Sequence, residues 1–167
     1  MKKTGIFYGS TTGVTESIAE QIASKLGVAQ SDVHNVGSTD AQTAENYETL
    51  ILGSSTWGAG DLQDDWHDFL DKLAGCNLNG KTVALFGCGD GASFGNTFCD
   101  AVGTIYEKLQ NTGCTFVGSV KTDGYEYDAS TAEVNGEFVG LLIDENNQTD
   151  QTESRIEAWT EEVKKSL

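Results

Sequence analysis

The stretch Thr4-Gly5-Ile6-Phe7-Tyr8-Gly9-Ser10-Thr11-Thr12-Gly13-Val14-Thr15 decides how the rest of the chain is read. Thr4 to Tyr8 is a short, strand-forming apolar run, and Gly9 to Thr15 is a loop with four hydroxyls and two glycines. From Val14 the apolar residues Ile18, Ala19, Ile22, Ala23 and Leu26 follow at three- and four-residue steps and stop at Gly27. That spacing predicts an amphipathic helix with a glycine stop. A strand running through a loop straight into a helix is the first half of a crossover unit, whose next strand lies parallel to the first.

The same alternation continues outward. Asp32 to Val36 reads as a second, weaker strand, and Thr49 to Gly53 as a continuous apolar run suited to a strand covered on both faces. Leu62, Trp66, Phe69, Leu70 and Leu73 form a helix stripe, followed by a fourth strand at Thr82 to Phe86. Phe98, Ala101, Val102, Ile105, Tyr106 and Leu109 form the next stripe, and Ile156, Trp159 and Val163 the last. Between them, Thr115 to Gly118 begins a fifth strand that resumes only at Phe138 to Ile143, so Ser119 to Glu137 is read as an insertion splitting it. Right-handed crossovers then place helices on both faces of a doubly wound, five-stranded parallel sheet, one α/β domain over residues 1–167. Ligands of such sheets bind beyond the carboxyl ends of the strands, which directs attention to the loops after strands one, three and four.

Composition narrows the partners. Ten Lys and Arg against 26 Asp and Glu leave a net charge of −16, which repels phosphate backbones and anionic lipid and argues against nucleic-acid and membrane partners. A hydrophobic share of 38% argues against disorder, and 20 Gly with no Pro leave the turns to Gly, Asn and Asp. The four Cys have no C-x-x-C spacing, and Met1-Lys2-Lys3 precedes only a short apolar stretch, so reduced thiols and a cytoplasmic location are expected. Two His, His34 and His67, and four scattered Cys have no metal-ligand spacing and assemble no base and nucleophile pair. Trp66 and Trp159 fall on helix stripes and are assigned to the core.

Each of the three loops has a chemical signature. Gly9 to Thr15 leads into a helix N-terminus, where free N–H groups, the helix dipole and hydroxyls suit a phosphate; without Lys or Arg it is not a nucleoside triphosphate loop. An N-cap with incidental hydroxyls is the alternative. After strand three, Gly53 to Asp61 holds Trp57 among small residues with no apolar periodicity to bury it, so the indole either faces a planar ligand or folds back on the domain. After strand four, Gly87 to Thr97 holds Phe94 in a similar setting. Two aromatics and a phosphate clamp converging on one crevice suit a flat ring system joined to a monophosphate.

This constellation resembles the flavodoxins. The motifs are S-x-T-G-x-T from Ser10 to Thr15, T-W-G-x-G-D from Thr56 to Asp61, and G-x-G-D from Gly87 to Asp90 with Phe94 four residues on. The split fifth strand, with Thr122-Asp123-Gly124-Tyr125-Glu126, resembles the long-chain branch of that family. The resemblance runs from about Lys3 to Val163 and implies a flavodoxin-like strand order of 2-1-3-4-5 with non-covalently bound FMN. It implies that Ser10, Thr11, Thr12, Gly13, Val14 and Thr15 hold the phosphate, and that Trp57 and Phe94 cover the two faces of the isoalloxazine. Gly89, Asp90 and Thr97 would meet its pyrimidine edge and Asn146 the ribityl chain, with Ser55, Thr56, Ala59, Gly60, Asn96 and Phe98 as further contacts. Cys88 and Cys99 border the third loop, within reach of the ring or as small buried thiols. Gly58 carries the peptide whose carbonyl, in the family, turns to accept a hydrogen bond from the reduced ring, a turn that glycine makes sterically easy. Phe94 stands where the family usually has Tyr, which keeps the stack and loses a hydroxyl.

The function so implied is that of a low-potential, one-electron carrier cycling between half-reduced and fully reduced FMN, without a catalytic constellation of its own. A flavin-dependent quinone reductase on the same fold is the second reading. Receiver domains want clustered acids after strand one and an Asp ending strand three, where this chain has Gly9-Ser10 and Gly53-Ser54. The acids themselves are unevenly placed: nine lie between Lys25 and Lys72 and nine between Lys121 and Arg155, with no basic residue inside either stretch. This distribution predicts an acidic face that steers basic redox proteins to the ring edge; the resemblance implies a basic reductase as donor, with an oxidoreductase as acceptor, and a monomer is expected.

Overall fold

A computed structural model describes residues 3–167; Met1 and Lys2, which belong to the N-terminal reading above, lie outside the described residues. The chain runs β1 (Thr4–Gly9), α1 (Val14–Leu26), β2 (Val33–Asn35), β3 (Thr49–Trp57), β4 (Asp61–Leu62), α2 (Asp64–Ala74), β5 (Thr82–Cys88) and α3 (Asp100–Leu109). It continues through β6 (Thr115–Val117), β7 (Val120–Lys121), β8 (Glu133–Val134), β9 (Glu137–Phe138), β10 (Gly140–Ile143) and α4 (Thr149–Lys164).

The main sheet has the spatial order β2-β1-β3-β5, with β6 and β10 together occupying the far edge of β5. These strands pair in parallel, and the two edge pieces are the halves of the expected fifth strand. Their register is continuous on the partner: Val117 lies opposite Ala84, and Gly140 opposite Leu85, so residues 118–139 leave and re-enter the edge without skipping a position of β5. Re-entry demands glycine, because a Cβ on Gly140 would sit 2.2 Å from the Leu85 carbonyl oxygen. The order expected from the sequence, 2-1-3-4-5, is the one formed.

Alternate residues of each strand enter two separate cores. On one face Phe7, Leu50, Leu52, Val83 and Leu85 pack against Trp66, Leu73 and Ile105 from α2 and α3; on the other, Ile6, Ile51, Ala84 and Phe86 pack against Ile18, Ile22, Ile156 and Trp159 from α1 and α4. Trp66 is 0% and Trp159 3% exposed, as their stripes predict. Each such side chain contributes about 1.5–3 kcal/mol by leaving water, which is why the helix stripes were legible.

Beyond one-residue shifts in the first, second and fifth strands, three boundaries differ from the sequence reading by two residues or more. The third strand does not end at Gly53: its pairing with β5 continues through Ser54 and Ser55, and β4 returns antiparallel on Thr56 and Trp57. Hydrophobicity marks only the buried part of a strand, whereas the ladder persists as long as backbone partners face each other. Likewise the fourth strand runs on to Cys88. Phe138 belongs to β9 rather than to the fifth strand, and the insertion is a small antiparallel sheet in the order β7-β9-β8. Its hairpin turns on Asn135 and Gly136, at φ 55° and 84°, the left-handed pair that a two-residue turn of type I′ requires. Among the described residues no helix is long and apolar enough to cross a membrane.

Candidate functional site

Because the strands are parallel and each helix returns antiparallel to them, the N-termini of α1, α2, α3 and α4 gather at the carboxyl edge of the sheet. There a groove of about 250 Å³ opens, lined by Thr12 and Val14, by Ser55, Thr56, Trp57 and Gly58, by Cys88, Gly89, Asp90 and Phe94, and by Glu145 and Asn146. Among the described residues the large hydrophobic side chains left exposed are Val14 (36%), Trp57 (41%) and Phe94 (50%), and all three line this one groove. Exposed apolar surface concentrated in a single cleft marks a binding site.

The first loop presents Thr11, Thr12, Gly13 and Val14 to solvent at the start of α1. Gly13, at φ 92°, is the residue before the helix, and its N–H donates to the Ser10 hydroxyl at 3.0 Å. Thr15 differs from its expected place: it is 1% exposed, and its hydroxyl donates to Cys88 Sγ at 3.5 Å instead of facing the loop.

The second loop is a tight turn. Gly60 N–H donates to the Trp57 carbonyl at 3.1 Å, and Gly58 holds φ 53° at the first central position, which a residue with a Cβ adopts only with strain. The Trp57 indole N–H donates to Ser55 Oγ at 2.9 Å, which fixes the ring's edge while leaving its face open. Thr56 Oγ1 accepts from Ala101 N–H at 3.2 Å in the first turn of α3, and Ala59 and Gly60 stay outside the groove lining.

The third loop is organised by Asp90. Its carboxylate accepts from the N–H groups of Ala92 and Ser93 at 3.1 and 2.9 Å and from the amides of Asn146 and Asn147 at 2.8 Å each. The backbone hydrogen bond from Ser93, followed by that from Asn147, holds this carboxyl well below the usual carboxylate range. Asn146 is thus tied to Asp90. Asn96 is exposed and Thr97 half-buried, and neither lines the groove. Phe98 and Cys99, expected as contacts, are 1% and 0% exposed; Phe98 stacks on Tyr127 at 5.6 Å and meets Phe138, so the insertion draws it inward. Burial pushes the Cys88 thiol up to about 12 and Cys99 well above the ordinary thiol value, so neither is a thiolate nucleophile near neutral pH.

Three residues of the site escaped the sequence reading. Asp144, 2% exposed, accepts from the N–H groups of Gly91, Asn146 and Asn147 at 3.0–3.1 Å, joining the third loop to the one after β10. Glu145 lines the groove. Gln63, also 2% exposed, bridges the first and second loops through Thr11 and Ser54. The signal for Asp144 and Glu145 was their position just after the last strand, the same edge as the other loops; nothing in the sequence distinguished Gln63.

Comparison with known proteins agrees with this geometry. The flavodoxin family model matches residues 6–159. The chain is 44% identical to flavodoxin 1 of Salmonella typhimurium, over all of this chain and 96% of that protein, and 42% identical to the flavodoxin of Nostoc sp., over 98% and 96%. The crystal structure of Fusobacterium nucleatum flavodoxin bound to flavin mononucleotide superposes with a TM-score of 0.92 at 36% identity, covering 100% of this chain and 99% of that one. With its split edge strand, its open aromatic groove and these full-length matches, the chain belongs to the flavodoxin family.

Proposed function

We propose that the groove binds FMN non-covalently and that the protein is a low-potential, one-electron carrier. The observation that carries this reading is the convergence of Val14, Trp57 and Phe94, the large exposed apolar side chains, on one narrow groove beside the N-terminus of α1. The residues fit the group: two aromatic faces open to a planar ring, and a hydroxyl-rich helix start without cations suits a monophosphate. When bound, FMN supplies a ring that takes up and releases electrons singly, and the protein sets the energetics. Ser10, Thr11, Thr12 and the N–H groups at the start of α1 would hold the phosphate, Trp57 and Phe94 the ring, and Gly89 with Asp90 its polar edge. Asp61 beside Gly58, with Asp90 and Glu145 on the groove, opposes the build-up of negative charge there and so lowers the potential.

The topology also sorts the charge. Lys25, Lys72, Lys108 and Lys164 lie in the last turns of α1, α2, α3 and α4, and Lys3 and Lys81 precede β1 and β5, so all six sit at the edge opposite the groove. Glu16, Asp64, Asp65, Asp100 and Asp150 occupy the first turns, on the groove side. A basic partner is therefore drawn to the end that carries Trp57 and Phe94. This polarity supports electron exchange with a basic reductase and a basic acceptor, and the four free cysteines suit a reducing cytoplasm.

The test is the purified protein itself. It is expected to show flavin absorption, to release FMN on denaturation and to rebind it, and to leave NADPH unconsumed until a separate reductase is added. An apoprotein that takes up no FMN would refute the reading, and steady NADPH oxidation by the protein alone would make it an enzyme.

A further inference from the structure

Gln63 is a neutral side chain buried to 2% exposure between the second loop and α2, and every one of its polar atoms is committed. Its backbone N–H donates to Ser54 Oγ at 3.2 Å. Its Oε1 accepts from Asp65 N–H at 3.0 Å, and its Nε2 donates to Asp65 Oδ2 at 3.0 Å and to Thr11 Oγ1 at 3.2 Å. The orientation of the amide follows from chemistry, because a backbone N–H can only donate and so must face Oε1. The flipped amide would set Nε2 against that N–H and turn Oε1 toward the Asp65 carboxylate. Two acceptors thus lock the Nε2 protons, one of them on Thr11.

A hydroxyl that accepts from a fixed donor must send its own proton elsewhere. Thr11 is exposed at the mouth of the first loop, and among the described residues no protein group takes its proton. The outward direction is the start of α1, where an anion would sit. Gln63 is also wedged in place: a Cβ on Gly9 would lie 2.4 Å from its Oε1 and 2.5 Å from the Trp66 ring.

We propose that Gln63 is a positioning residue for the anion loop: by donating to Thr11 it polarises that hydroxyl outward, as a donor, and so selects a phosphorylated flavin over the unphosphorylated one. This rests on the reading of the groove as an FMN site. A single hydroxyl donated to a phosphate is worth on the order of tenfold or more in affinity.

The test titrates apoprotein with FMN and with riboflavin, following flavin fluorescence, in the wild type, Gln63→Met, Thr11→Val and the double variant. The expected result is that Gln63→Met lowers the FMN-to-riboflavin affinity ratio by about tenfold, that Thr11→Val does the same, and that the double variant matches Thr11→Val. Gln63→Leu, which likewise loses the donor without setting a carboxylate against Asp65 Oδ2, should lower the ratio as far, and it supplies the answer if Gln63→Met does not fold. Equal weakening of both flavins would make Gln63 a merely structural residue, and multiplying effects in the double variant would show that it does not act through Thr11. A wild type that binds no FMN overturns the underlying reading and this inference with it, whereas normal wild-type binding with an unchanged variant ratio overturns the role of Gln63 alone.

Discussion

Asp144→Asn separates two jobs of one buried carboxylate. Asp144 Oδ1 accepts from the N–H groups of Asn146 and Asn147 at 3.1 and 3.0 Å, a local turn, while Oδ2 accepts from Gly91 N–H at 3.0 Å across to the loop after β5; the Asn147 amide donates to both oxygens, at 3.1 and 3.0 Å, and can stay on Oδ1 alone. An asparagine keeps one oxygen, which the two local donors hold, and turns its NH₂ toward Gly91. The turn survives, and the link between the loops becomes two donors facing each other. A hydrogen bond to a charged acceptor is worth about 1.5–3 kcal/mol, so the substitution is expected to cost about 2 kcal/mol, or about 4–8 °C in Tm for a chain of this size. Urea unfolding gives the free energy, and amide hydrogen exchange gives its location: exchange at Gly91 should accelerate while Asn147 stays protected. A variant within about 0.5 kcal/mol of the wild type, with Gly91 exchange unchanged, would refute the assignment of Asp144 as the tie between the two loops.

Other perturbations read other parts of the structure. Gly140→Ala places a Cβ 2.2 Å from the Leu85 carbonyl and should cost about 2–3 kcal/mol in urea unfolding, because the obstacle is backbone in the neighbouring strand; a wild-type midpoint would mean the strand re-enters differently. Asp90 has a folded-state pKa depressed below its unfolded value, so its stabilisation is complete above the ordinary aspartate pKa of about 4 and is lost as pH falls through the depressed value. The stability gap between the wild type and Asp90→Asn should therefore be flat at neutral pH and narrow only below about pH 4, and a gap closing near pH 6 would count against it. Electron-transfer rates with a basic partner should fall steeply as salt rises, since Asp61, Asp90 and Glu145 lie at the groove and the helix-end lysines do not; a flat profile would remove the steering role.

Much of the fold could be read from particular residues. Val14 to Leu26, Trp66 to Leu73 and Ile156 to Val163 repeat at helical spacing because each helix buries one stripe, and Thr49 to Leu52 runs continuously apolar because β3 is covered on both faces. The insertion was marked by its polarity, yet its hairpin was missed although Asn135-Gly136 is a strong local turn signal, because the flanking strands are only two residues each. Trp57 and Phe94 could be read as exposed on the groove because large apolar residues without periodic neighbours have no core to enter. Thr15 and Phe98 were placed in the site by the family resemblance, and both are buried in contact with distant segments, Cys88 for one and Tyr127 for the other.

The sequence by itself determined the doubly wound sheet, the edge at which the groove lies and the exposed aromatics that line it, because these follow from hydrophobic period, glycine placement and residue type within single segments. Only the tertiary structure decided where the third and fourth strands end, which loop residues face the groove, and the gathering of the helix-end lysines away from it. It also decided the roles of Gln63 and Asp144. Their significance comes from bonds to Thr11, 52 positions away, and to Gly91, 53 positions away, and hydrogen-bond direction between segments that distant is set by how the sheet brings the loops together.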